Sequence, residues 1–489
     1  MSVLFYCHDG KPADVMMATG KVSRLNRRGK RSHVLAGAVI LVAASAAGAA
    51  VANWMVLVLA GVAATAVIVL LLCRLDLVVS LLAAGFFFNA YLNHGPGIIT
   101  IDKAIGALAV IAWVLEWTVN RRPILGNPQL WILAAFLAWT AVSVAGASNE
   151  KAALITSLRY LIFVTLYFLV IQMVGGDRRR ADVLLWVILA AAAAASVIGL
   201  VAFFGHQVTR ASGPISDPND FGFILASSVP LGIYQLRWSV TRRGKLLCGA
   251  AVILVLACTL ATFSRSALTG LSVATIWALL TGRLRFRWVL AVLACLAGVV
   301  AVTILAAPQL VHLTFGQKTH IATQNVEVRL GYYQVEIDEW EHYPLTGVGP
   351  GNFVYRLYQF APAVQETLPF PSDIQNISGE DAYLIILAEQ GAIGLALFLG
   401  YLALSWVDLR RRFRDDERTD QLQSALAAGF IVACIGALFL AEQYYPPLWY
   451  LPALAAGMAT SYPGTKAADP ADSSPGYGPA RIMARGAQR

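Results

Sequence analysis

Two adjacent carboxylates, Glu380 and Asp381, stand directly before an apolar run in SGEDAYLIILAEQGAIGL, residues 378–395. A carboxylate placed there can take a proton from a hydroxyl group. A solvated glutamate titrates at about 4.3 and is ionised at neutral pH, and a neighbouring carboxylate or apolar surroundings would make it a stronger base. The same pair also suits a helix start, where side-chain oxygens accept from free N–H groups and negative charge faces the positive end. Both readings stay open on the residues alone.

Five basic residues stand out, in segments between apolar runs or at the runs' edges. Lys103 follows GPGIITID, Arg159 lies in SLRYLIF, Arg210 in TRASGPISDPNDFG, Arg265 in TFSRSALTG, and Arg329 begins RLGYYQVEIDEW. Snorkelling to lipid head groups would explain any one of them. Taken together they offer another chemistry. An arginine fork matches phosphate oxygens and its charge does not titrate away, so several at one depth would hold a pyrophosphate. The TRASGP and PNDFG segments add backbone N–H donors at a helix start.

The elements that must position these groups are membrane helices. The chain has 489 residues, 58% hydrophobic and 13% charged. Apolar runs fall near 34–52, 54–73, 76–93, 104–119, 129–147, 159–175, 182–204, 220–237, 246–263, 266–281, 288–306, 381–406, 421–440 and 446–461. They are continuous rather than alternating, which excludes a β-barrel and predicts an all-α polytopic membrane protein with about 12–14 spans. The segments 1–33 and 462–489 read as disordered basic tails flanking a membrane domain over 34–461, and no cleavable signal peptide is expected.

Charge gives the orientation. With the N-terminus inside and simple alternation, 29 of the 37 Lys and Arg fall on inner segments and 8 on outer ones. The net charge of +9 is therefore a topology signal, and nucleic acid is not an expected partner. All five basic candidates lie on the outer face, as does the long loop 307–379. In that loop, residues 326–344 read as an amphipathic helix stopped before Pro344, and GVGPGNF, 347–353, as a glycine-rich turn. Its aromatics and amides, among them Tyr333, Trp340, Asn352 and Tyr355, are candidates for sugar contact. The six cysteines are scattered with no CxxC pair, so neither a disulfide frame nor a metal site is expected.

No P-loop and no GxGxxG after a strand is present, so no nucleotide cofactor is expected. An activated donor used outside the membrane would be carried on a lipid pyrophosphate. The arginines would hold the leaving group, and a carboxylate would take the acceptor proton.

At this point the residues resemble a known family. RLGYYQVEIDEWEHYPLTGVGPGNF, an Asx-type dipeptide, an aliphatic run and EQGAIG are similar to the O-antigen ligase / Wzy polymerase superfamily, with SGPISDPNDFG and TFSRSALTG matching earlier family positions. The resemblance covers roughly 75–460 and is strongest at 205–270 and 325–400. It implies a GT-C-like helical fold and metal-independent glycosyl transfer from a polyprenyl-pyrophosphate-linked saccharide at the periplasmic face of a bacterial inner membrane, with both termini cytoplasmic. Arg210 and Arg265 match the family's phosphate-binding arginines, Arg329 matches the arginine opening the loop helix, and Lys103 and Arg159 are looser matches. The chain departs from the family where many ligases carry His-Asn, since Glu380-Asp381 occupies that place. His342 stands at a family position that is often His, and His320 is a substitute base. The departure favours an exopolysaccharide or O-antigen polymerase over a ligase acting on lipid A-core or protein. A solute transporter is the reading from another class. Membrane lipids, a flippase and a chain-length regulator are the implied partners.

Overall fold

The computed structural model describes residues 55–88, 101–120, 123–205, 208–215, 217–284, 329–360, 381–411 and 416–460, with isolated positions at 286, 298, 301 and 379. The tails, the apolar run 34–52, nearly all of the run 288–306, much of the outer loop, Glu380, and His206, His312 and His320 lie outside the described residues.

The described chain is helical. In order, α1 is Met55–Cys73, α2 Leu75–Gly85 with a 3-10 turn Phe86–Phe88, α3 Ile101–Asn120, α4 Pro128–Ser143, α5 Glu150–Val174, α6 Arg178–Phe204, α7 Pro218–Trp238, α8 Arg242–Ala261 and α9 Arg265–Leu280. Then come α10 over 329–342, α11 Phe353–Phe360, α12 Ala382–Arg410, α13 Glu417–Gly436, a 3-10 turn Glu442–Tyr444 and α14 Pro447–Ala459. The chain is an all-α polytopic membrane protein. Among the described residues five helices are long and apolar enough to cross a membrane, or six if the pair bent by 109° at Arg74 is one span. That is fewer than the runs suggest. α9 and α14 are only 16 and 13 residues long, and two of the runs lie wholly or nearly wholly outside the described residues.

Helix starts follow local capping chemistry. Asn149 opens α5, its side chain accepting from Ala152 N–H at 3.1 Å. The helix therefore begins at Glu150, and Arg159 sits well inside it rather than at its start. Asp217 opens α7 by accepting from Asn219 N–H at 2.6 Å, with Pro218 at the first helical position.

α14 is apolar on every side, and a helix of that kind belongs in a core. Leu448, Trp449, Tyr450, Leu451, Ala453, Leu454, Ala455 and Ala456 are all at most 1% exposed. α14 packs against α5, α12 and α13. Trp449 stacks on Tyr401 of α12 at 5.4 Å and on Phe163 of α5 at 5.8 Å.

One end of the bundle is tied by charge. Arg178 pairs with Asp416 at 3.0 Å, Arg237 with Glu417 at 2.8 Å, Arg283 with Asp420 at 2.8 Å and Arg418 with Asp182 at 2.6 Å. These residues come from the segments that alternation places together on the inner face.

Candidate functional site

The opposite end gathers the arginines. The Arg210 guanidinium donates from Nε to the Thr262 carbonyl at 2.8 Å and from Nη2 to Asn219 Oδ1 at 2.6 Å. It thereby joins the 208–215 loop, the turn between α8 and α9, and the first turn of α7. Burial pulls the Arg210 pKa below the ordinary guanidinium value. Asp217 opposes this, and the positive charges of Arg329 and Arg265 add to it. Arg265 and Arg329 thus both stand within electrostatic range of Arg210, although the three come from separate segments. Two like charges facing a third are costly unless something negative joins them.

Arg265 is the first residue of α9, exposed at its N-terminus. The chain turns from α8 into α9 through Phe263, the one non-glycine residue with positive φ (52°) among those described. Such a conformation in a bulky residue costs of order 1–3 kcal/mol and persists where the surroundings impose it. Here it sets the angle at which Arg265 leaves the turn.

Lys103 and Arg159 enter from other elements. Lys103 is exposed in the first turn of α3. The Arg159 guanidinium lies 5.8 Å from the ring centre of Tyr444, which belongs to the turn before α14.

The outer loop is seated on a break in α12. Gly391 takes φ 69° and ψ −174° and interrupts the helix. A break frees carbonyls that helical bonding would have used, and within a membrane such groups must find protein partners. The loop supplies them. Val348 N–H donates to the Ala388 carbonyl at 2.9 Å and Gly349 N–H to the Glu389 carbonyl at 2.9 Å. Trp139 of α4 donates from Nε1 to the Gln390 carbonyl at 2.9 Å. Past the break, Ala392 N–H donates to the Pro344 carbonyl at 2.9 Å. The approach is so close that a β-carbon on Gly347 would strike the backbone of Glu389 and Gln390.

Asp381 is the N-cap of α12. Its Oδ1 accepts from Tyr383 N–H at 2.7 Å and Leu384 N–H at 2.9 Å, and the residue is 7% exposed. Burial raises its carboxyl pKa, against the two amide bonds. Glu380 lies outside the described residues, so its role as a base stays an expectation. A third carboxylate stands close by. A β-carbon on Gly379 would lie 2.6 Å from Glu336 Oε1, which places buried Glu336 of α10 at the opening of α12.

The aromatic and amide candidates divide. Tyr333 and Trp340 are half-buried on α10, and Tyr355 is 46% exposed on α11. Asn352 is fully buried. Its Oδ1 accepts from Asn149 N–H at 2.7 Å and its Nδ2 donates to the Asn149 carbonyl at 3.3 Å and the Pro350 carbonyl at 3.0 Å, so it pins the glycine turn to the start of α5. His342 directs Nδ1 at the Asp338 carbonyl at 2.7 Å, one helical turn back.

Sequence reasoning passed over Glu339, Glu389 and the Gln390–Gly391 break. The signal was present as Glu-Gln-Gly inside an otherwise apolar run.

Residues 250–399 match a protein-family model described as O-antigen ligase. No curated protein matches the chain. The matched segment holds Arg265, helix α10 with Arg329, the glycine turn and the broken first half of α12, and it supports placing the chain in the O-antigen ligase/Wzy superfamily.

Proposed function

We propose that this chain is a bacterial polysaccharide polymerase. It transfers a glycan from a polyprenyl-pyrophosphate carrier onto a lipid-linked repeat unit at the outer, periplasmic face of the inner membrane. The convergence of Arg210, Arg265 and Arg329 carries this reading. Three cationic forks at one end of a helical bundle suit a leaving group with several phosphate oxygens. The acceptor hydroxyl oxygen bonds to the anomeric carbon as the bond from that carbon to the phosphate oxygen breaks. The pyrophosphate leaves with the electron pair, held by the arginines, and Glu380 takes the acceptor proton. Lys103 and Arg159 extend the positive field toward the incoming donor, and no metal takes part. Tyr333, Trp340 and Tyr355 line the sugar path, and a flippase and a chain-length regulator work alongside.

Transfer of finished glycan to lipid A-core or protein is the second reading, favoured by the description of the matched family. A transporter would place ionisable groups and broken helices at a midplane site between repeated halves. The arginine cluster stands at one end of the bundle, on helix starts and loops.

Mass analysis of lipid-linked intermediates in a deletion strain separates the readings. A single repeat held on the carrier, with polymer lost, is the expected result. Long polymer held on the carrier with its acceptor bare means ligase, and unchanged pools overturn both.

A further inference from the structure

Two buried glutamates stand within electrostatic range of each other where the loop sits on the break. Glu339 of α10 is fully buried, and neither of its carboxylate oxygens has a hydrogen-bond partner among the described residues. Glu389, two residues before Gly391, is 4% exposed. One of its oxygens accepts from Phe353 N–H at 3.4 Å and the other has no partner among the described residues. Neither residue is needed for phosphate binding or proton removal as proposed above.

We propose that Glu339 and Glu389 are a positioning pair: a proton on Glu339 removes their mutual repulsion and lets α10 and the glycine turn rest against the break in α12, and so fixes where Arg329 stands relative to Arg210 and Arg265. Two ionised carboxylates buried within electrostatic range of each other repel, and burying a charge without a partner is expensive. One proton on the pair removes the repulsion. Burial pushes Glu339 up to about 9, with Glu389 adding to the shift and Arg356 opposing it.

The surrounding groups do not replace that proton. On α11, Arg356 is committed elsewhere. It donates to Ser148 Oγ at 2.6 Å, Tyr343 Oη at 2.7 Å and the Gly146 carbonyl at 3.2 Å. Arg159 of α5 acts on Glu389 from an exposed position. Buried Tyr160 of α5 and half-buried Tyr444 of the turn before α14 are rings on the Glu389 side and bring no positive charge. Glu336, one turn earlier on α10, is a further buried acid and contributes no positive charge.

The direction of the pH effect is fixed. With α10 detached, Glu339 meets water and titrates in the ordinary range, at about 4.3. Docked, it titrates at about 9. Docking is therefore strongest below the ordinary carboxylate range. It weakens as pH rises toward about 9, by at most roughly tenfold per pH unit for one proton.

Hydrogen exchange on the full-length protein in lipid nanodiscs tests this without substrate. Protection of amides 329–342, corrected for intrinsic exchange and referenced to α6, is followed from neutral pH to about 9. Wild-type protection should fall with pH, while Glu339→Gln, which is neutral throughout, should stay flat, and Glu389→Gln, which removes one contribution but leaves Glu339 buried, should make the fall smaller. A flat wild-type profile, which needs no variant to fold, overturns the proposal. An unchanged slope in Glu339→Gln overturns it too. The consequence for Arg329 rests on the proposed function and is read separately: the alkaline limb of the transfer-rate pH profile should move outward in Glu339→Gln. A docking profile that fails while polymer synthesis stands removes the pair and leaves the polymerase reading. A deletion strain with unchanged pools does the reverse.

Discussion

The carbonyl of Leu345 fills the space in which Gly391 would carry a β-carbon. Leu345 lies within the outer loop and Gly391 within α12, 46 positions apart. Their contact sets the seat of the loop on the membrane domain, and the arginine on α10 inherits its place from it.

Replacing Gly391 with Ala should destabilise the protein by roughly 3 kcal/mol or more, because a left-handed φ and a backbone clash act together. Thermal unfolding in detergent reads this directly. A melting temperature equal to wild type would mean that the break does not depend on glycine.

Arg210→Lys should cut glycan transfer by about a hundredfold at normal protein level, a loss of order 3 kcal/mol in transition-state stabilisation. An ammonium cannot reproduce the fork that reaches both the Thr262 carbonyl and Asn219 Oδ1. Arg265→Lys should behave similarly. Wild-type polymer yield from either variant would remove the phosphate clamp.

The carboxylates at the start of α12 separate into cap and base by paired substitutions. Asp381→Ala should lower stability by about 1 kcal/mol, while Asp381→Asn, which keeps an accepting oxygen, should lose much less. Glu380→Gln should leave the melting temperature unchanged and reduce transfer strongly. Full activity in that variant would make the pair a helix start and nothing more.

Asn352→Ala should cost about 1–3 kcal/mol, since it leaves backbone groups of half-buried Asn149 and buried Pro350 without partners. Unfolding measurements should register the loss before any effect on sugar selectivity. A variant of normal stability with altered selectivity would return Asn352 to the glycan path.

The sequence by itself determined the helices and the face on which the charges gather. Continuous apolar runs specify membrane helices because the bilayer demands closed backbone hydrogen bonding. The runs at 104–119, 246–263 and 446–461 fall on α3, α8 and α14. The helix expected before Pro344 and the turn GVGPGNF are also where periodicity and glycine placed them. What only the tertiary structure decided was the company each residue keeps. α12 reads as one uninterrupted span, yet its break at Gly391 exists because amides from Val348 and Gly349 arrive to take the freed carbonyls. Backbone partners of that kind leave no mark on side-chain identity. Arg210, Arg265 and Arg329 were visible as separate residues in the segments between apolar runs, but their gathering depends on the angle of the Phe263 turn and on the seating of α10. The burial of Glu339 and of Glu389 was hidden for the same reason. A glutamate in an amphipathic loop helix looks solvated until the surface that covers it is folded against it.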